Sequence, residues 1–293
     1  LETIAMEHNM VASVSFRIKP GIDAHTHEFI RTGQIDSKFG LDLASGEAMD
    51  ALRRAQQLEH IAVKGLHCHI GSQILEKAPF VHAAEVMLQF FAEIRDVLGM
   101  TLETLNLGGG FGIHYTQQDD AIPYEEYMGD VSAMVHRKCQ ELGLQLPRIY
   151  IEPGRSIVGE AGITLYTVGS IKEIPGVRNY VAIDGGMFDN PRYALYQSSY
   201  TCLLANKAGQ PADYVATIAG KCCESGDLIQ EHTPIQKPEI GDIVAVLSTG
   251  AYNYSMASNY NRNLKPACVM VSHGESRIVI KGETYEDLVR NDV

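Results

Sequence analysis

The feature that most constrains this chain is a regular alternation of short apolar runs with helix-period stretches across its first half. Residues 11–18 (VASVSFRI) alternate with period two and stop at Lys19-Pro20-Gly21, the pattern of a strand. Residues 46–58 have helix composition, with Ala48, Leu52, Ala55 and Leu58 three or four positions apart. Residues 61–70 form the next apolar run. Residues 78–98 make the clearest helix, with Phe80, Ala84, Met87, Leu88, Phe91, Ile94 and Leu98 on one face and Gly99 at the stop. Residues 102–107 and 148–151 read as further strands, with a helix over 124–142 between them. Four strand–helix units about forty residues apart imply parallel strands joined by right-handed crossovers.

The positions of the unusual residues decide the architecture. His69-Ile70-Gly71-Ser72 ends the second strand, Gly108-Gly109-Gly110-Phe111-Gly112 the third, and Glu152-Pro153-Gly154-Arg155 the fourth. Polar and glycine-rich residues gathered at the carboxyl ends of parallel strands describe the site-bearing face of a (β/α)8 barrel. An open doubly wound sheet also places its site at strand ends, but it seldom draws chemistry from every successive strand. The expected fold is therefore α/β plus β. The C-terminal half of a TIM-like (β/α)8 barrel occupies residues 1–160. A mostly β domain, barrel- or sandwich-like, occupies 161–293, where short β-type runs between Gly, Pro, Asn and Asp clusters replace helix periodicity.

Charge and cysteine usage exclude several classes. The 24 Lys and Arg against 36 Asp and Glu give a net charge of −12, which argues against a nucleic-acid partner. No apolar run approaches the roughly 18–20 residues that span a bilayer. The six cysteines show no paired spacing, so neither a disulfide framework nor a zinc site is indicated, and a reducing cytoplasm fits. His67 and His69 would share a side of a strand, but no third metal ligand accompanies them, so no metal is expected.

Each motif has a functional and a plain reading. Residues 108–112 offer backbone N–H groups to a phosphate with no Cβ in the way, or simply form a flexible turn. The pattern lacks the GxGxxG spacing of a dinucleotide fold. Glu152 and Arg155 make either a site or an ion pair with a turn. Asp184-Gly185-Gly186 through Arg192, Tyr193 and Tyr196 is a second glycine turn with basic and phenolic groups, or a hairpin with surface aromatics. Cys223-Glu224-Ser225-Gly226-Asp227 sets a thiol among carboxylates, and Gly250-Ala251-Tyr252 precedes an asparagine-rich stretch.

Taken in order, HIGSQ (69–73), GGGFG (108–112), EPGRS (152–156), CESGD (223–227) and GAY (250–252) resemble the fold-type III pyridoxal-phosphate-dependent decarboxylases. TGQIDSKFG (32–40), the segment from Asp184 to Tyr196 and the terminal ETYEDL (283–288) extend the likeness along nearly the whole chain. The resemblance implies a barrel followed by a β domain, pyridoxal 5'-phosphate as cofactor, and a homodimer with shared active sites. It implies that His69 stacks on the pyridine ring and that Glu152 faces its nitrogen. Ser72, Gly109, Gly110, Gly112, Gly154 and Arg155 would hold the phosphate, with Tyr252 closing that end. Arg192, helped by Tyr196, would clamp a distal carboxylate, a small-molecule amino-acid substrate also meeting Arg155 and Tyr252. Cys223, as proton donor, and Glu224, toward a distal amino group, would come from the partner subunit. Lys221 stands where the family usually has proline.

The likeness is greatest to the branch that converts meso-2,6-diaminopimelate to L-lysine and carbon dioxide. Ornithine, arginine or carboxynorspermidine as substrate is the alternative, and a lysine-less regulatory paralogue is another. In this family the lysine that holds the cofactor covalently lies in a YAxKAN-like motif, and none of the eleven lysines here has that context. With four strand–helix units where a barrel has eight, the expectation is an amino-terminal segment of about 130–160 residues preceding Leu1. This chain by itself is expected to be inactive.

Overall fold

Helix-connected strands build the first part of the chain, and a mixed sheet builds the second. The computed structural model describes residues 1–22 and 38–293, so the first six residues of the 32–40 motif lie outside the described residues. Two units are distinguished, one of residues 1–113 and 120–156, the other of residues 114–119 and 157–293.

In the first unit, α1 (Glu2–Glu7) leads into β1 (Ala12–Lys19), β2 (Leu41–Asp42), α2 (Glu47–Ala55), β3 (Ile61–His67) and α3 (Ala78–Leu98). β4 (Thr104–Asn106), α4 (Tyr124–Leu142) and β5 (Arg148–Tyr150) follow, and the short α5 (Arg155–Val158) runs across the boundary between the units. The strands form one parallel sheet in the order β2-β1-β3-β4-β5. The four strands read from the sequence are thus neighbours in chain order. The two-residue β2, too short to leave a periodic trace, covers the other side of β1.

The helices form where periodicity places them. α3 has proline in its first turn and ends at Gly99, whose φ of +65° suits a residue without Cβ. Its buried face includes Phe80, Ala84, Met87, Leu88, Phe91 and Ile94. α4 ends likewise at Gly143 and buries Tyr127, Val131, Met134, Val135 and Cys139. These faces join Leu66, Ile70, Leu105 and Leu107 in one core. Each such large apolar side chain contributes roughly 1.5–3 kcal/mol on burial.

The second unit contains β6 (Thr164–Ile174), β7 (Arg178–Ile183), α6 (Arg192–Tyr196), β8 (Cys202–Leu204), β9 (Tyr214–Ala219), β10 (Leu228–Ile235) and β11 (Ile243–Val246). After these come α7 (Asn253–Met256), β12 (Cys268–Ser272), β13 (Glu275–Ile280) and α8 (Tyr285–Val289). A six-stranded sheet runs β10-β9-β7-β6-β11-β8, with only β7 and β9 parallel, and β12 and β13 form a separate hairpin. Its helices have four or five residues each, which is why helix periodicity disappears here. β8 and β10 leave no clear apolar run: β8 is short, and β10 carries Gln230, Glu231, His232 and Pro234. Among the described residues no helix is long and apolar enough to cross a membrane.

Candidate active site

Three successive strand ends of the first unit supply its polar cluster: His69 and Ser72 after β3, residues 108–112 after β4, and Glu152 to Arg155 after β5. The loops approach too closely for side chains. A Cβ on Gly109 would lie 2.2 Å from the carbonyl oxygen of Glu152. One on Gly110, whose φ is +109°, would lie 2.4 Å from that of Gly71. Glycine is required here by backbone packed against backbone.

That packing changes the expected role of the loop. Gly108 N–H donates to Asn106 Oδ1 at 2.9 Å, Gly109 N–H to His69 Nδ1 at 3.2 Å, and Gly112 N–H to the Ile74 carbonyl at 2.9 Å. Three N–H groups expected to face an anion are therefore engaged inside the unit. Arg155 is buried and donates from Nη2 to Ser72 Oγ at 2.7 Å, a pair that could hold an anion. Gly154 beside it is exposed, with nothing within 4 Å of a Cβ built on it.

Glu152 is held from one side by Asn106, whose Nδ2 donates to Oε1 at 2.7 Å, and its Oε2 lies 3.5 Å from His67 Nε2. Burial, then the charges of Arg17 and His67, push the His69 imidazole down to about 4. It is therefore neutral near pH 7, and accepting from Gly109 at Nδ1 leaves its proton on Nε2. Burial lowers His67 as well, against the opposing pull of Glu152.

In the second unit, Arg192 is 6 % exposed and surrounded by rings: Tyr115, Tyr196 and Tyr252 lie 5.7, 5.4 and 5.6 Å from its guanidinium carbon. Its Nη2 donates to Ser198 Oγ at 3.2 Å, while Nε has no hydrogen-bond partner among the described residues. A desolvated guanidinium with a donor to spare suits a carboxylate ligand. The surface-hairpin reading of this segment fails, because Arg192 is buried.

Cys223 and Glu224 sit on a different loop of this unit. Cys223 is exposed, with its N–H donating to Asn261 Oδ1 at 2.7 Å, and Glu224 accepts from the Tyr260 hydroxyl at 3.4 Å. Asp227 shapes the loop from inside, accepting from the N–H groups of Met187 and Cys222 at 2.5 and 2.7 Å. This ties the 184–186 turn to the 223–227 motif.

A family described as "Pyridoxal-dependent decarboxylase, pyridoxal binding domain" matches residues 1–159. The diaminopimelate decarboxylase of Bacillus subtilis (strain 168) is 50 % identical over 293 residues, all of this chain and 67 % of that protein. The chain belongs to the diaminopimelate decarboxylases, within the pyridoxal-dependent decarboxylase family. The Bacillus methanolicus enzyme is also 50 % identical, over 96 % of this chain and 65 % of its own length. The crystal structure of the M. jannaschii diaminopimelate decarboxylase in co-complex with L-lysine covers all of this chain and 66 % of its own, with a TM-score of 0.90 at 36 % identity. The chain thus spans about two thirds of the length of the relatives it matches. These relatives favour the diaminopimelate branch over the ornithine, arginine and carboxynorspermidine alternatives, and over a regulatory paralogue.

Pyridoxal phosphate is the cofactor of this family, and the donor set fits it. Arg155 with Ser72 suits a phosphate, and a carboxylate faces out at Glu152. Sequence reasoning missed three residues. Arg17 of β1 places its charge on Glu152 and Cys68, Asn106 holds Glu152, and Tyr115 stands beside Arg192. Arg17 and Asn106 are polar residues near the carboxyl ends of their strands, a usable signal. Tyr115 carries none, because its position depends on Thr201, whose N–H and hydroxyl both donate to its carbonyl at 3.0 Å.

Proposed function

We propose that this chain carries cofactor- and substrate-binding residues of an enzyme that decarboxylates meso-2,6-diaminopimelate to L-lysine and carbon dioxide. One observation carries the reading: an acid, a neutral imidazole and an anion-binding pair converge from three consecutive strand ends of one parallel sheet. The M. jannaschii relative, solved with the reaction's product, supports the choice of substrate.

Bound pyridoxal phosphate supplies an electron sink for the charge left when carbon dioxide departs. Glu152 would keep the ring nitrogen protonated, because a carboxylate favours a proton on a neighbouring base. His69, held neutral, would lie against the ring without adding a competing charge. Arg155 and Ser72 would hold the phosphate, with Gly109, Gly110 and Gly112 letting the loops pack closely and Gly154 leaving the approach to Arg155 open. Arg192, with Tyr196 and Tyr252 around it, would orient the substrate by its distal carboxylate. Cys223 would return a proton and Glu224 would meet the distal amino group, both contributed across a homodimer. The parallel sheet is read as part of a (β/α)8 barrel over residues 1–160, with residues 161–293 as the β domain. A cytoplasmic location accords with six free thiols.

Carbon dioxide release by the purified enzyme from meso-diaminopimelate, compared with ornithine, tests the proposal. Arg192→Gln is expected to lower kcat/KM for diaminopimelate by about a hundredfold, the loss of a buried charged contact. Equal turnover of both substrates, or an unimpaired variant, overturns it.

A further inference from the structure

One side chain of the first unit touches both the glycine loop and the acid. Asn106 is the last residue of β4, in register with His67 on one side and Tyr150 on the other. Its carbonyl accepts from Cys68 N–H at 2.8 Å, so its backbone is fixed. The carboxamide has one allowed orientation. Gly108 N–H can only donate and an ionised carboxylate can only accept, so Oδ1 must face the loop, at 2.9 Å, and Nδ2 the acid, at 2.7 Å. Aspartate would face Glu152 with a second carboxylate, and leucine would satisfy neither partner.

We propose that Asn106 is a positioning residue of the decarboxylation, its amide fixing the Glu152 carboxylate and the 108–112 loop in one register. The inference rests on the reading of Glu152 given above. The acid and the loop belong to connections after different strands, and each end of the amide holds one of them. His67 Nε2, 3.5 Å from the other carboxylate oxygen, and the charge of Arg17 also act on Glu152. Their contacts are longer or purely electrostatic, so they fix the direction of the carboxylate less than Asn106 does.

Asn106→Asp in the holoenzyme tests this, since it keeps the acceptor for Gly108 while replacing the donor to Glu152. It is expected to lower kcat by about tenfold or more and to leave KM within about threefold. In cofactor-free protein the thermal midpoint should fall in Asn106→Asp and recover in Asn106→Asp with Glu152→Gln, which restores a donor to that contact. Activity should not recover in the double variant. Should Asn106→Asp fail to fold, Asn106→Ser, which adds no charge, is expected to show the same kcat loss with KM preserved. Wild-type kcat in these Asn106 variants, or a thermal midpoint insensitive to Glu152→Gln, overturns the positioning role. Full activity in Glu152→Gln alone overturns instead the reading of the acid, so the two failures are distinct.

Discussion

His69 is the residue through which this site meets pH. Free imidazole takes its proton near 6.5, whereas the folded environment holds His69 at about 4. Between those values the unfolded chain binds the extra proton, so stability is fully present above 6.5 and is lost as pH falls toward 4. His67, also lowered, acts in the same direction. Urea unfolding midpoints should therefore decline between about pH 7 and pH 4.5, and His69→Asn should flatten that slope. An unchanged slope would assign the decline to other groups. The two adjacent cysteines make a second contrast. Burial, then the charge of Asp227, pushes the Cys222 thiol up to about 11, while Cys223 is exposed. Alkylation near neutral pH, located by peptide mass, should mark Cys223 first, since reaction needs access and thiolate. Preferential labelling of Cys222 would argue against Cys223 as the chemically competent thiol. Glu152, Arg155 and His69 were readable because polar side chains follow apolar strands at the same end each time. The neutrality of His69 was not, because it depends on burial and on Arg17, some fifty residues earlier in the chain.

At the scale of elements, the 108–112 loop is anchored from below by its one large side chain. Phe111 is buried, stacks on Phe80 of α3 at 4.7 Å, and meets the edges of Tyr124 and Tyr127 of α4, each at 5.2 Å. Tyr127 in turn donates its hydroxyl to the Ile74 carbonyl at 2.8 Å, fixing the neighbouring loop. Phe111→Ala should cost about 3–5 kcal/mol in guanidinium unfolding and weaken cofactor binding with it. Retained affinity at reduced stability would show that the loop keeps its shape without the anchor. Gly110→Ala acts differently: with φ at +109° and the Gly71 carbonyl 2.4 Å away, the added methyl must displace backbone. The long helices of the first unit and the four strands they connect were legible, because each helix repeats its apolar face over several turns and glycine or proline follows each strand; β2 and the short α1 and α5 were not. In the second unit β6, β7 and β11 were legible as apolar runs, whereas β8 and β10 were not. The sequence also gives no sign that residues 114–119, directly after the glycine loop, belong with the second unit. That assignment rests on long-range bonds, such as Ser248 Oγ donating to the His114 carbonyl at 2.8 Å.

For the whole molecule, charge and apolar surface pull in opposite directions. A net charge of −12 opposes contact between copies, most strongly at low ionic strength. The β12–β13 hairpin favours contact: Val269, Met270 and Val271 on one strand and Ile278, Val279 and Ile280 on the other are all exposed. Val269 pairs with Ile278 and Val271 with Ser276, so Val269, Val271 and Ile278 share one face while Met270 pairs with Arg277 on the other. A two-stranded hairpin without a covered face contributes little stability of its own, and such exposed apolar strands are adhesive. Salt screens the repulsion between exposed charges but leaves apolar attraction in place. The chain of 293 residues, prepared by itself, should therefore show a mean mass in sedimentation that rises with protein concentration and with added salt. Val271→Lys together with Ile278→Lys should suppress that rise while leaving the circular dichroism of the sheet and helices unchanged, because neither side chain is buried. If the native chain keeps one mass at every salt concentration, or the double variant associates as readily, the hairpin is not the adhesive surface and the contact between copies lies elsewhere.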